Sequence, residues 1–303
     1  MDPLSEALSL LKPRSFVSAG LDAGSEWSLS FSAYEGIKFN FVHKGTCWLI
    51  LPGRSVSVKL ERGDCFLLTG GDPFILASDP NLAPQPSEIV YGHLKDGIAV
   101  CEPGGDFFLI GSRFIFDHGA SNALFGEFPS VILIKRDLPQ AEILRWSIER
   151  VVAESVNYGA GSDLVRAHLF HVMFVQVLRM FSATDESPPS SWLRLLLSEE
   201  LSSSVNSIHT EPQKKWTVQK LANISGMSRS AFAAKFKKIS GLTPIDYLTR
   251  WRVYNAARKM DSEDKAVSDI ALSVGYESEG AFRVAFQRVM GVSPKHYRRR
   301  NLT

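Results

Sequence analysis

At 303 residues, with a formal net charge of +2, three cysteines and 45% apolar residues, the chain is long enough for two domains with separate cores. Cys47, Cys65 and Cys101 are too few and too scattered for a disulfide framework and read as core residues in a reducing compartment. No basic-then-apolar leader opens the sequence and eighteen uninterrupted apolar residues occur nowhere, so the expectation is a soluble, cytoplasmic protein with no membrane partner.

Leu4, Leu8 and Leu11 predict a short amphipathic helix that Pro13 stops. From Trp27 the apolar period becomes two. Trp27, Leu29 and Phe31 alternate with Ser28 and Ser30, and Ile37, Phe39 and Phe41 alternate with Lys38 and Asn40, the pattern of strands with one buried face. Gly45, Pro52-Gly53, Glu61-Arg62-Gly63-Asp64 and Gly70-Gly71-Asp72-Pro73 punctuate the runs Cys47 to Leu51, Val56 to Leu60, Cys65 to Leu68 and Phe74 to Ala77. Short strands between turn residues predict a sandwich or small barrel. Asn81 to Ser87 is a proline-rich loop, and Ile98 to Cys101, Phe107 to Phe116 and Val131 to Ile134 supply further strands.

After Pro139 the period becomes helical, with Ile143, Leu144, Ile148, Val151 and Val152 on one stripe, and Gly159 to Asp163 breaks it. The next helix, Leu164 to Phe181, is apolar at 13 of 18 positions and needs cover on several sides. Two arrangements supply it: a sandwich between barrel and neighbouring helix, or a partial dimer contact. His168 and His171 share a face of that helix without a carboxylate or Cys at ligand spacing, so they read as packing or interface residues. Ala183 to Ser191 reads as an exposed segment, Trp192 to Ile208 as one further helix, and Thr210 to Lys215 as a polar connector.

The last ninety residues write one pattern twice. Ser228, Phe232, Phe236, Gly241, Pro244 and Tyr247 recur fifty positions later as Ser278, Phe282, Phe286, Gly291, Pro294 and Tyr297. In the first copy Val218, Leu221 and Ala222 form a helical stripe, Gly226 ends it, and Ser228 caps a second helix whose buried side is Phe232, Phe236 and Ile239. The second copy repeats this with Val267, Ile270 and Ala271, the break at Gly275, the cap Ser278, then Phe282, Phe286 and Val289. Helix, tight turn, helix is the unit that lays its second helix in a DNA major groove. Charge agrees: residues 211 to 303 hold 18 Lys+Arg against 8 Asp+Glu, a net of +10, and residues 1 to 210 carry −8.

Trp216-Thr217-Val218, the turn Gly226-Met227-Ser228-Arg229-Ser230, Gly241-Leu242-Thr243-Pro244 with Tyr247-Leu248, and Gly275-Tyr276-Glu277-Ser278 with Phe282, Phe286 and Gly291-Val292-Ser293-Pro294 resemble the tandem helix-turn-helix signature of the AraC/XylS family of bacterial transcription regulators. The remainder is similar to the cupin-type regulatory domain of one subgroup of that family. The resemblance implies a multidomain α and β protein: a cupin-like effector-sensing barrel over 1–137, a helical linker or dimerisation region over 138–210, and a DNA-binding domain over 211–303 with units near 217–240 and 266–290. It also implies promoter DNA and RNA polymerase as partners, a small-molecule effector of unknown identity, a possible homodimer, and activation as the sign of regulation. The alternatives are a cupin metal enzyme with an accessory nucleic-acid module and a constitutive DNA binder. Cupin enzymes carry a His-x-His pair, absent here; a site built from His43, His93 and His118 is the weaker reading, so no metal, cofactor or catalytic residue is expected. Trp27, Phe39, Phe41, Trp48, His93 and Arg113 are each explained singly as core or rim, and no effector-binding residue is legible.

With Phe232 and Phe236 inward, the first recognition helix turns Ser230, Ala233, Ala234 and Lys237 to the groove, and the family's base-contacting positions fall on Ser230, Ala233 and Ala234. All three are small, suited to thymine methyls at most, and Arg229, Lys235, Lys237 and Lys238 suit phosphates. The second helix turns out Glu279, Gly280, Arg283, Val284 and Gln287. There Arg283 can pair with guanine, Gln287 with adenine and Glu279 with a cytosine amine, and Val284 can meet a thymine methyl. Ser228 and Ser278 open the two helices. Pro244 starts a connector helix to about Met260 that holds the two units one DNA turn, about 34 Å, apart, and Arg298-Arg299-Arg300 adds charge.

Overall fold

The computed structural model describes residues 2–11, 14–17, 19–53, 56–95, 97–116, 128–136, 142–157, 159–182 and 192–300. His118 and the segment 183–191 lie outside them. The chain divides into two compact units, one holding the strands with the helices of residues 87–182, the other holding the first helix together with everything from residue 192 onward.

Among the described residues of the first unit, twelve strands form two sheets. Strands β1 (Arg14–Val17), β2 (Gly20–Ala23), β4 (Ile37–Lys44), β7 (Cys65–Leu68), β10 (Ile98–Cys101), β11 (Phe107–Ile115) and β12 (Val131–Ile134) make a seven-stranded sheet. Strands β3 (Ser28–Phe31), β5 (Thr46–Leu51), β6 (Val56–Glu61), β8 (Phe74–Ala77) and β9 (Gln85–Pro86) make the other. One apolar cluster joins them, with Val42, Phe66 and Leu109 from the larger sheet meeting Leu29, Leu49 and Leu76 from the smaller. At the turn before β7 the buried Asp64 carboxylate accepts from Lys135 Nζ at 2.7 Å and from the Glu61 amide at 3.0 Å, which closes the turn and ties in the chain after β12.

β4 departs from the sequence expectation. Val42 joins the cluster between the sheets, but Phe39 packs on the outer side of its sheet. There Phe39 meets Phe170 at 5.9 Å between ring centroids, and the neighbouring Phe114 stacks on Phe174 at 4.7 Å. Both phenylalanine partners belong to α4 (Ser162–Ser182), which lies over this face and packs against α3 (Glu142–Val156). Lys38 and Asn40 therefore point between the sheets rather than into water. An alternating strand buries its polar face when both sides of its sheet are covered. Helix α4 is long and apolar enough to cross a membrane by length and composition, yet Phe170, Met173, Phe174 and Val177 are buried against the sheet and its neighbour. Its other side leaves Leu164, Val165 and Val172 exposed, and α3 leaves Ile143 and Trp146 exposed. A short helix absent from the sequence reading, α2 (Ser87–Tyr91), follows β9.

The second unit takes in segments from both ends of the chain. Helices α1 (Pro3–Leu11), α5 (Trp192–Leu196) and α6 (Glu199–Thr210) pack with the C-terminal helices. The cause is apolar: Leu4, Leu193, Leu195, Leu196, Leu201, Val205 and Ile208 are all at most 4% exposed, and the C-terminal helices supply their cover. The single helix expected over 192–208 is broken at Ser198, which is extended (φ −76°, ψ 112°) and followed by Glu199 and Glu200, the acidic first turn that favours a new helix start.

Helices α7 (Val218–Ile224), α8 (Arg229–Ser240), α9 (Pro244–Ser262), α10 (Val267–Ser273), α11 (Glu279–Met290) and α12 (Pro294–Arg300) complete the chain. The repeat in sequence is a repeat in space. Ser228 and Ser278 each accept from the third amide of their helix at 3.3 Å. Phe236 meets Tyr247 edge-on at 5.6 Å and Phe286 meets Tyr297 edge-on at 5.6 Å. The connector 211–216 is pinned rather than free. Arg252 on α9 donates to the Pro212 carbonyl at 2.6 Å and the Lys214 carbonyl at 3.0 Å, and Trp216 Nε1 donates to the Glu211 carbonyl at 2.9 Å.

The turn glycines at 226 and 275 both have positive φ, 64° and 96°. A Cβ at Gly226 would meet open space, whereas one at Gly275 would sit 2.7 Å from Gln213 Cα in the pinned connector. Gly226→Ala should cost about 1 to 2 kcal/mol from backbone conformation alone. Gly275→Ala should cost distinctly more, because connector backbone must also move. Chemical denaturation of the two variants checks this, and equal losses would refute the connector contact.

His209 stacks on Trp251 at 3.5 Å and its Nε2 lies 2.7 Å from Tyr247 Oη, with Glu6 3.6 Å from the other ring nitrogen. Burial lowers its pKa from 6.5 to about 3. The unfolded imidazole takes a proton near 6.5 and the folded one does not, so this group costs stability as pH falls from about 6.5 towards 3, at about 1.4 kcal/mol per pH unit. His209→Gln should flatten that limb between pH 6 and 5, as read from urea unfolding of parent and variant; Glu6, whose carboxyl pKa burial raises, contributes in the opposite direction.

Candidate nucleic-acid interface

Each recognition helix is held by its inward phenylalanines. Phe232 and Phe236 on α8 and Phe282 and Phe286 on α11 are fully buried, which fixes the rotation of the helix and so decides what faces out. On α8 the outward residues are Arg229, Ser230, Ala234, Lys237 and Lys238, with Ala233 half-buried. On α11 they are Glu279, Gly280, Arg283, Val284 and Gln287, all exposed. Val284 is 70% exposed, an apolar side chain left in water at the middle of the face. Ser228 and Ser278 are exposed, but their hydroxyls serve first as helix caps.

The cations sort into two groups. Lys215 pairs with Glu277 at 2.6 Å, Lys265 with Glu263 at 2.9 Å and Arg288 with Asp246 at 3.8 Å. Lys235, expected at a phosphate, is instead paired with Glu200 of α6. That partner comes from the helix the sequence reading had assigned to a separate linker, so the pairing was invisible there. Arg229, Lys237, Lys238 and Arg283 make no ion pair or side-chain hydrogen bond among the described residues. Unpaired cations on one exposed face are what a phosphate backbone neutralises. Thr243 caps α9, accepting from the Asp246 amide at 3.1 Å, with Pro244 in the first turn. The helix has 19 residues, about 28 Å at 1.5 Å per residue, a rigid spacer between the two units.

Among the described residues no three His, Cys, Asp or Glu side chains converge as a metal site requires. His43 is half-buried and His93 exposed.

Two helix-turn-helix units on one rigid helix, each with a free outward face, define a tandem helix-turn-helix DNA-binding protein. The chain matches the Cupin family over residues 2–183 and the helix-turn-helix domain family over residues 221–300. It is 40% identical over 299 residues to a putative AraC-like transcription regulator of Streptomyces lividans, covering 99% of this chain and 98% of that protein. It is 31% identical over 283 residues to the transcriptional regulator AlkR of Acinetobacter baylyi, covering 91% and 92%. With the transcriptional activator RclR of Escherichia coli it shares 29% identity over 300 residues, covering 99% and 98%. The chain belongs to the AraC-like transcription regulators, and it is a DNA-binding transcription regulator with an N-terminal cupin domain.

Lys237→Ala should lower the slope of log affinity against log salt by about one, as a lost phosphate contact does. Lys235→Ala should lower it by clearly less, since Glu200 already neutralises that ammonium. Binding isotherms on one DNA fragment between about 50 and 200 mM salt measure both; equal changes would mean that the Glu200 pair dissolves on DNA.

Proposed function

We propose that this chain is an effector-responsive regulator of promoter DNA in which α11 carries base readout and α8 carries phosphate positioning. The observation that supports the division is the contrast of the two exposed faces. Arg283 and Gln287 stand unpaired on α11, and their side chains can form bidentate pairs with guanine and adenine in the major groove. The corresponding face of α8 offers Ser230, Ala233 and Ala234, which hold little hydrogen-bonding capacity. The acidic N-terminal domain senses a small molecule and biases DNA binding, a role that requires different affinities for the two functional states.

The remaining partners follow from the same reading. Activation through RNA polymerase at a promoter is supported by the family and by the name of the E. coli relative. A homodimer is supported by the exposed apolar stripe of Ile143, Trp146, Leu164, Val165 and Val172 on α3 and α4, more carbon than one chain covers. The protein acts in the cytoplasm, without a catalytic reaction of its own. Only a stoichiometric metal found by metal analysis and an absorption spectrum of the purified protein would favour the alternative, a metal enzyme with an accessory DNA module.

Selection of bound sequences from a random pool tests the division of labour. The half-site under α11 should show the sharper base preference, and Arg283→Ala should relax it at one base pair with a loss of about 1 to 3 kcal/mol in specific binding. Sharper preference under α8, or an Arg283→Ala protein that keeps its preference and loses only salt slope, reverses the assignment.

A further inference from the structure

We propose that the gap between the two sheets at the Lys38 end of β4 is the effector site, and that it takes a small monocarboxylate with an apolar body. This deepens the sensory reading above and rests on it. The gap is a cavity of about 260 Å³, room for roughly nine water molecules at about 30 Å³ each. Phe31, Phe74 and Leu76 of the five-stranded sheet wall one side and Leu109 the other, with Tyr91 and Leu94 at the lip.

Two polar side chains enter this apolar space from β4. The Lys38 ammonium lies 5.2, 4.9 and 4.8 Å from the ring centroids of Phe31, Tyr34 and Phe74. No carboxylate or carbonyl among the described residues bonds to it. Glu88, which attracts it, is engaged by the Ser32 hydroxyl at 2.9 Å, and Arg113, its cross-strand partner, repels it. Burial brings its pKa down to about 8, so it stays largely protonated at neutral pH. Asn40 is 8% exposed, and its Nδ2 has no hydrogen-bond partner among the described residues. Gly111 stands opposite on β11, where a Cβ would come within 2.3 Å of Asn40 Oδ1. The glycine keeps the space that the carboxamide fills.

Both entering groups donate, so the molecule that completes them must bring acceptors and must not bring a cation. A carboxylate meets the ammonium and the amide together, and the ring and leucine walls favour carbon behind it. Sugars, which need many partners for their hydroxyls, find few here. Amines and zwitterionic amino acids meet repulsion from Lys38 and Arg113.

Calorimetric titration of the full chain with hexanoate and benzoate, with hexanamide, benzamide and benzylamine as controls, tests this. The carboxylates should bind and benzylamine should not. Lys38→Met should weaken carboxylate binding by roughly tenfold or more, the loss of a charge-assisted hydrogen bond, while leaving amide binding nearly unchanged. Asn40→Leu should weaken both carboxylates several-fold. Leu94→Trp, at the exposed lip, narrows the mouth and should weaken all acids alike, which keeps the test alive if a β4 variant folds poorly. No carboxylate binding at millimolar concentration, equal binding of benzylamine, or Lys38→Met binding acids as the parent does would each overturn the site. DNA affinity measured alongside separates the two levels. A different metabolite that shifts DNA binding while no acid binds overturns this site and leaves sensing standing, whereas acids that bind through Lys38 without shifting DNA affinity uphold the site and remove the sensing role.

Discussion

Both recognition helices take their orientation from two aromatic clusters of the same build. In each, two phenylalanines one helical turn apart lie under an edge-on tyrosine from the next helix: Phe232, Phe236 and Tyr247, then Phe282, Phe286 and Tyr297. Rings at 5.4 to 5.6 Å with tilted or edge-on geometry are favourable beyond the area they bury. Any other rotation of α8 or α11 would draw these buried rings out of the core and into water. The outward face of each recognition helix is thus dictated by what its inward face must bury.

This explains what the sequence disclosed and what it withheld. The repeat was readable because the residues that repeat are those with one structural solution: a cap hydroxyl at Ser228 and Ser278, buried rings, and a left-handed end at Gly241 and Gly291. Exposure of Arg283, Val284 and Gln287 followed from helical geometry alone. The placement of α1, α5 and α6 was hidden because a leucine stripe states that a helix needs cover without saying which surface gives it. Lys235 read as a phosphate contact for the same reason, since its acid partner Glu200 lies 35 residues away in sequence. On β4 the period-two pattern was read correctly, with Ile37, Phe39 and Phe41 on a buried face, and the cover over the opposite face was not legible. Lys38 and Asn40 looked solvent-facing because alternation alone cannot tell water from a cavity.

The two domains consequently depart from local rules in different ways. In the DNA module the irregularity is on the surface, an exposed valine and unpaired cations on an otherwise well-capped helix. In the cupin domain it is internal, a protonated amine and an unpartnered amide in an apolar gap. Departures of either kind are costs a fold bears where a ligand will complete the site. A backbone pinned by Arg252 across residues 212–214 adds that the DNA module carries its own entrance segment as part of its packed body.

The division of each recognition helix into a buried half that the fold fixes and an outer half whose readout positions make no ion pair among the described residues has a bearing on how such regulators diverge. Residues such as Ser230, Ala234, Arg283 and Gln287 can be exchanged without disturbing a single packed ring, so mutational drift in operator preference is nearly decoupled from foldability. A promoter and its regulator can then change together in small steps, each variant remaining a well-folded protein while its target sequence moves.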